Sequence, residues 1–268
     1  MRVALPMYLP ADLQAVERFW LAVRELLLQH EAFRGQTLPA QLDWPADYLG
    51  HWRAPDLLLS QSCGYPLTYA LRGQVQLLGA FSYDVPGERD LASRSQIVVR
   101  RTDTRSTLAA YRGSRVAYNS TDSQSGYHAL RALVAPLAEH GVFFGSSLET
   151  GAHLRSLDAV RQGHADLAAL DAVTWALAMD ATPALGEELR VLTESEPYPG
   201  LPLITARSTP AATREALVYA LEQVATAPAL ANVRKPLRIG GFIPRQLQNY
   251  AACTAMEARA QRHGLTHL

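Results

Sequence analysis

Short apolar runs alternate along the chain with stretches whose apolar residues recur every three or four positions, which predicts strand and helix in turn. VALPMY reads as a strand, 12–30 as a helix, DLLLS as a strand, Gly64 to Leu71 as a helix and VQLLGAF as a strand. A loop rich in turn formers, SYDVPGERD, leads to the strand SQIVVRR. The pattern then restarts with RVAYN, a helix from Gly126, the strand VFFG, a helix around Ser156 to Gln162, the strand DLAAL and a helix after Asp171. ATPALGEE and ESEPYPGLP bracket the strand LRVLT; PLITA, a helix over Pro210 to Ala225, LRIGGFI and a last helix over Arg245 to His263 complete the order. Such alternation predicts an α/β fold, a parallel or mixed sheet covered by helices, and its restart predicts a second lobe.

Leu130, Leu133, Val134 and Leu137 follow an i, i+3, i+4, i+7 spacing, so the helix after Gly126 packs one face on a sheet. Gly141 is its expected C-cap. The stretch NSTDSQSGYHALRALV therefore falls on a strand-to-helix turn at the carboxyl end of a strand, where open α/β sheets bind ligands.

Composition narrows the partners. The chain has 268 residues, 48% hydrophobic, enough to bury one large core or two of ordinary size. Lys plus Arg and Asp plus Glu are both 25, so no global field recruits nucleic acid or an anionic membrane. Lys235 is the one lysine, which leaves little room for a cofactor Schiff base or a phosphate-binding P-loop. Cys63 and Cys253 form no CxxC pattern, so neither a disulfide framework nor a zinc site is read. The start, MRVALPMYLP, lacks the basic, apolar and cleavage regions of a signal peptide, which implies a cytoplasmic protein if Met1 is the native start and a periplasmic one if an upstream signal was removed. No apolar run is long enough to insert in a membrane.

Within the opening turn, Ser123 and Ser125 bring hydroxyl donors, Gln124 an amide, and Gly126 a backbone without a Cβ, at a helix N-terminus that attracts anions. Charge-assisted hydrogen bonds contribute roughly 1.5–3 kcal/mol each, so three or four converging on one anion give micromolar binding. The same residues also read as an ordinary N-cap followed by a polar loop. SQSCGYP, with Gln61 and Ser62, makes a second turn of the same kind, and Tyr8 and Tyr65 are placed to stack on a ligand or to fill core. His153 is expected in a loop before a helix capped by Ser156, and Asp171 at a strand end; the two read as cleft contacts, as proton-transfer partners, or as a structural histidine and a helix cap. No dinucleotide, P-loop, zinc-protease or nucleophile-elbow motif is present, and no cofactor or metal site is expected.

SQIVVRRTDTRSTLAAYRGSRVAYNSTDSQSGY resembles, in the substrate-binding proteins of phosphate, phosphite and phosphonate ABC transporters, the crossing strand that leads to a Ser-x-Ser-Gly anion turn. TGAHLRSLDAVRQGHADLAALDA resembles their "GSH..S..AV..G..D.AAvD" segment, and LTESEPYPGLPLITA their return crossing. Gln124 stands where phosphonate binders usually have Thr. The resemblance implies a type II periplasmic-binding-protein fold, with 1–100 and 191–268 forming lobe I, 101–190 forming lobe II, two crossing segments and a mixed sheet in each lobe. It implies a small anionic ligand, phosphate, phosphite or phosphonate-like, closed between the lobes and held by Ser123, Gln124, Ser125, Gly126, His153 and Asp171. Tyr65 falls at a family cleft tyrosine. The role implied is uptake without catalysis, with an ABC permease as partner; a cofactor-biosynthesis enzyme using His153 and Asp171, and a ligand sensor, are the alternatives.

Overall fold

The computed structural model describes residues 1–9, 12–86, 88 and 92–268. Of the loop expected over 82–90, residues 87, 89 and 90 lie outside the described residues. The described chain folds into two compact units, Met1–Asp84 with Gly200–Asn249 (unit 1) and Val85–Pro199 with Tyr250–Leu268 (unit 2).

In chain order, the first elements are β1 (Arg2–Ala4), α1 (Gln14–Gln29), α2 (Tyr48–Trp52), β2 (Leu57–Gln61), α3 (Gly64–Thr68) and β3 (Val75–Tyr83). Then come β4 (Ala92–Ser93), β5 (Ser95–Arg100), β6 (Arg115–Tyr118), α4 (Ala129–Val134), β7 (Ser146–Glu149), α5 (His153–Arg161) and β8 (Leu167–Asp171). The rest are α6 (Ala172–Ala181), α7 (Leu185–Glu188), β9 (Leu189–Glu194), β10 (Tyr198–Pro199), β11 (Pro202–Ala206), α8 (Ala211–Thr226), α9 (Ala231–Arg234), β12 (Ile239–Pro244) and α10 (Ala251–Arg262).

Unit 1 holds a five-stranded sheet in the order β1-β2-β11-β3-β12. β1 and β2 run parallel, while β11 and β12 run against their neighbours. Unit 2 repeats the design as β7-β6-β8-β5-β9, with β6 parallel to β7 and β8 and with β5 antiparallel to β8 and β9. Helices bury both faces of this second sheet, which is why its strands read as apolar runs rather than alternations. Ile97, Val99, Val116, Leu167 and Ala169 face one core with Leu130, Val134, Phe143 and Phe144. Their neighbours Val98, Ala117, Ala168 and Leu170 face the other with Leu157, Val160 and Leu189.

Four expectations are corrected. β5 and β9 both belong to the unit 2 sheet, so the boundaries fall after Asp84 and after Pro199 rather than at 100 and 190. The chain also changes unit a third time, because α10 places Ala260 in the unit 2 core and Met256 beside Ala129 and Ala132. VFFG forms no strand: Phe143 and Phe144 are buried as core aromatics from a loop, and the strand is the exposed edge SSLE that follows. The helix after Gly126 ends well before Gly141, since Pro136, two residues beyond Val134, has no N–H to continue its hydrogen bonds. Gly141 instead joins His140 in a left-handed two-residue turn closed by Glu139 and Val142.

Candidate functional site

The topology of unit 2 brings distant residues to one sheet edge. β6, β7 and β8 are parallel, so their carboxyl ends lie together: β6 runs into 119–126, β7 into 150–153, and β8 ends on Asp171. Antiparallel β5 begins at this edge, with Ser95 in register with Asp171.

Ser123 opens a π-helical turn over Gln124–His128 that leads into α4. Its hydroxyl oxygen accepts the Gly126 N–H at 3.0 Å, and its carbonyl accepts both Tyr127 and His128 N–H groups. Ser125 Oγ lies 2.8 Å from His153 Nε2 and 3.5 Å from Ser123 Oγ. Asp171 is buried; Oδ1 accepts the Thr174 N–H and Oδ2 the Thr174 hydroxyl, each at 2.6 Å, and Oδ2 lies 3.4 Å from His153 Nε2. Burial pushes the His153 pKa down, opposed by the Asp171 carboxylate and the Ala169 carbonyl, so the imidazole is neutral at neutral pH. The Asp171 carboxylate and the Ser125 hydroxyl both lie against Nε2. A nucleophilic triad places serine and carboxylate on opposite ring nitrogens; here both meet the same one.

Ser123, Ser125, Gly126, His153 and Asp171 therefore come together. Gln124 does not join them: its side chain turns into the interior, where Nε2 donates to Met256 Sδ at 3.2 Å. His153 is the first residue of α5 rather than a loop residue, and Ser156 lies inside that helix, its hydroxyl 2.7 Å from Thr150 Oγ1. Gly126 has a second reason to lack a side chain, because a Cβ there would overlap the Asn119 carboxamide and press on His153 Cε1.

In unit 1, Tyr8, Gln61 and Tyr83 meet near the carboxyl ends of β1, β2 and β3. Gln61 Nε2 donates to Tyr83 Oη at 3.0 Å, and Tyr8 meets Tyr83 edge-on at 5.0 Å. They line a cavity of about 20 Å³, room for one water. Ser62 is fully buried, with no partner for its hydroxyl among the described residues, and the Tyr65 ring lies tilted at 36° to that of Tyr69, centroids 4.6 Å apart.

Four residues at the unit 2 edge carried no signal in the linear pattern. Asn119 Oδ1 is buried against Gly126 with no hydrogen-bond partner among the described residues. Ser95 and Tyr198 reach the turn from other strands. Burial raises the Glu88 carboxyl to about 7, eased by Ser93 and reinforced by Asp171. Among the described residues no group of His, Cys, Asp and Glu side chains could hold a metal ion, and no helix is long and apolar enough to cross a membrane.

Comparison with solved structures places the fold. A binding-protein component of a phosphonate ABC transporter from Pseudomonas aeruginosa superposes with a TM-score of 0.77 at 15% identity, covering 98% of this chain and 87% of that one. A phosphonate-binding protein of Prochlorococcus marinus in complex with methylphosphonate gives 0.71 at 14% identity, covering 97% and 99%. A Xanthomonas citri protein bound to ATP gives 0.70 at 17%, covering 98% of each chain. The mixed α/β architecture is thus that of the two-lobed periplasmic binding proteins. No curated protein sequence matches significantly. Residues 56–250 match the model of the ABC transporter phosphonate periplasmic substrate-binding proteins, and the chain belongs to that family.

Proposed function

We propose that this family member binds a small oxyanion of the phosphate, phosphite or phosphonate class at the Ser123–Gly126 turn, as the receptor of an ABC uptake system in the periplasm, with the system's permease as its partner. The observation that carries the reading is the convergence of the Ser123 and Ser125 hydroxyls with neutral His153 at the ends of three parallel strands. Uncharged donors fixed in a buried setting replace the hydration shell of an anion without the cost of burying a second charge. The reading is of binding without turnover, supported by the shared Nε2 contact of Ser125 and Asp171, which gives no serine activation.

Calorimetry with inorganic phosphate, phosphite and methylphosphonate tests it, with ATP added because the Xanthomonas citri neighbour was solved with that nucleotide. Micromolar binding of one of these that weakens about 10- to 100-fold in Ser125→Ala is expected. Binding that Ser125→Ala leaves unchanged overturns the assignment of the turn. Release of inorganic phosphate from the bound compound overturns the non-catalytic part.

A further inference from the structure

We infer that Tyr198 and Ser95 are positioning residues for the anion turn: a buried chain of hydrogen bonds runs from the tyrosine hydroxyl through Ser95 and the Ser125–Gly126 peptide to Ser123, and orients the Ser123 hydroxyl as a donor toward the ligand. The inference rests on the proposal that this turn is the binding site.

The direction of every link follows from what each group is able to do. Ser95 Oγ lies 2.8 Å from the Ser125 carbonyl oxygen, and a carbonyl only accepts, so the one hydroxyl proton of Ser95 points there. In its 2.9 Å contact with Tyr198 Oη, Ser95 is then the acceptor and the tyrosine donates. Tyr198 keeps its proton, since burial holds its hydroxyl far from ionisation and the Asp171 and Glu88 carboxyls oppose a further negative charge. The chain crosses the peptide next, because in a planar trans amide the N–H points opposite to the C=O. The Gly126 N–H donates to Ser123 Oγ at 3.0 Å, which occupies a lone pair of that oxygen and leaves its O–H to be donated elsewhere.

The chain is shielded from water, Ser95 being 0%, Tyr198 5%, Ser123 5% and Ser125 7% exposed. Each donor in such a chain polarises the next, so the terminal hydroxyl is a better donor than an isolated serine. The anchors are rigid: Ser95 N–H donates to Ser195 Oγ at 2.9 Å, and Tyr198 pairs with Ser93 in the β4–β10 ribbon. A helix N-cap requires Ser123 alone, so a buried tyrosine and serine behind the peptide are in excess of what capping needs.

The test uses the full chain and two readouts. Methylphosphonate titrated by calorimetry into Tyr198→Phe, which removes only the hydroxyl, is expected to bind about 3- to 10-fold more weakly, and Ser95→Ala more weakly still. Ser95→Thr, which keeps the hydroxyl, is expected to restore affinity to within about threefold of the parent. The Gly126 amide proton, read by NMR without ligand, is expected to move upfield in Tyr198→Phe. An unmoved Gly126 resonance in the folded Tyr198→Phe protein overturns the chain, whether or not the turn binds anions. If the resonance moves and affinity in both variants equals the parent's, the positioning role for binding is overturned. Loss of affinity in Ser125→Ala, measured alongside, separates failure of the chain from failure of the site itself.

Discussion

The turns after β2 and β6 are written in nearly the same letters, Ser60-Gln61-Ser62-Cys63-Gly64-Tyr65 and Ser123-Gln124-Ser125-Gly126-Tyr127, and they end in different chemistry. In unit 2 the neighbouring parallel strands lead to His153 and Asp171, and the serines become a hydroxyl–imidazole–carboxylate cluster. In unit 1 the neighbouring strand ends supply Tyr8 and Tyr83, and the glutamine becomes the polar member of an aromatic cavity while Ser62 is left with a buried hydroxyl and no partner among the described residues. Even the glutamines differ, since Gln61 meets a tyrosine hydroxyl and Gln124 a methionine sulfur. A polar turn is raw material for a site. What it becomes is decided by the residues that topology brings beside it.

Gly126→Val is the most damaging way to break the comparison. It adds bulk where both Asn119 and His153 already press, so binding of phosphate-class anions by calorimetry is expected to fall more than about 100-fold, with a melting temperature several degrees lower. Sequence reading alone assigns this glycine only to the anion's approach; the packing of Asn119 adds the loss of stability.

Acid–base behaviour sharpens the contrast next, because unit 2 buries two groups displaced in opposite senses. Burial holds His128 near 3, with Arg131 adding to the effect, so between about 3 and 6.5 the unfolded chain binds the extra proton and stability rises with pH. Glu88 near 7 binds its proton longer when folded, so between 4.5 and about 7 stability falls as pH rises. His128 is worth on the order of 5 kcal/mol and Glu88 on the order of 3 kcal/mol, and where the windows overlap they offset one another unit for unit of pH. Urea midpoints are expected to be nearly level from pH 4.5 to 6.5 in the parent, to rise with pH in Glu88→Gln, and to fall in His128→Phe.

Ser125→Ala against Ser62→Ala is the finest comparison. The first is expected to cost affinity at a melting temperature within about 2 °C of the parent. The second removes a buried hydroxyl that has no partner among the described residues, and a melting temperature equal to or slightly above the parent's is expected from scanning calorimetry. A marked drop in Ser62→Ala would show that this hydroxyl has found a partner.

The alternation of apolar runs and the Leu130–Leu137 stripe predicted the element order and the covered sheet, because burial on both faces leaves a strong mark on composition. Apolarity reports burial, however, and not pairing. Phe143 and Phe144 are core residues without a ladder, and Ser146–Glu149 is a ladder without burial, so VFFG and SSLE exchanged roles. The Ser123–Gly126 turn and the strand-end position of Asp171 were legible for the same local reason that capping residues are. His153 was legible, but as a loop residue, since no N-cap side chain marks the start of α5 at Ala152. Nothing local distinguishes Ser95 or Tyr198 from other polar residues, because their roles depend on strand register and on contacts 30 to 103 positions away.

The attachment of α10 to unit 2 also has a consequence for cleavage of the chain. Ala260 and Leu265 complete the core beneath Leu130 and Val134, and the Arg131 guanidinium donates to the Thr266 carbonyl at 2.7 Å. A chain cut after residue 249 would keep residues 1–84 and 200–249 of unit 1 and lose one wall of unit 2. Unit 2, which carries the serine turn, is therefore the unit that such a cut would leave open.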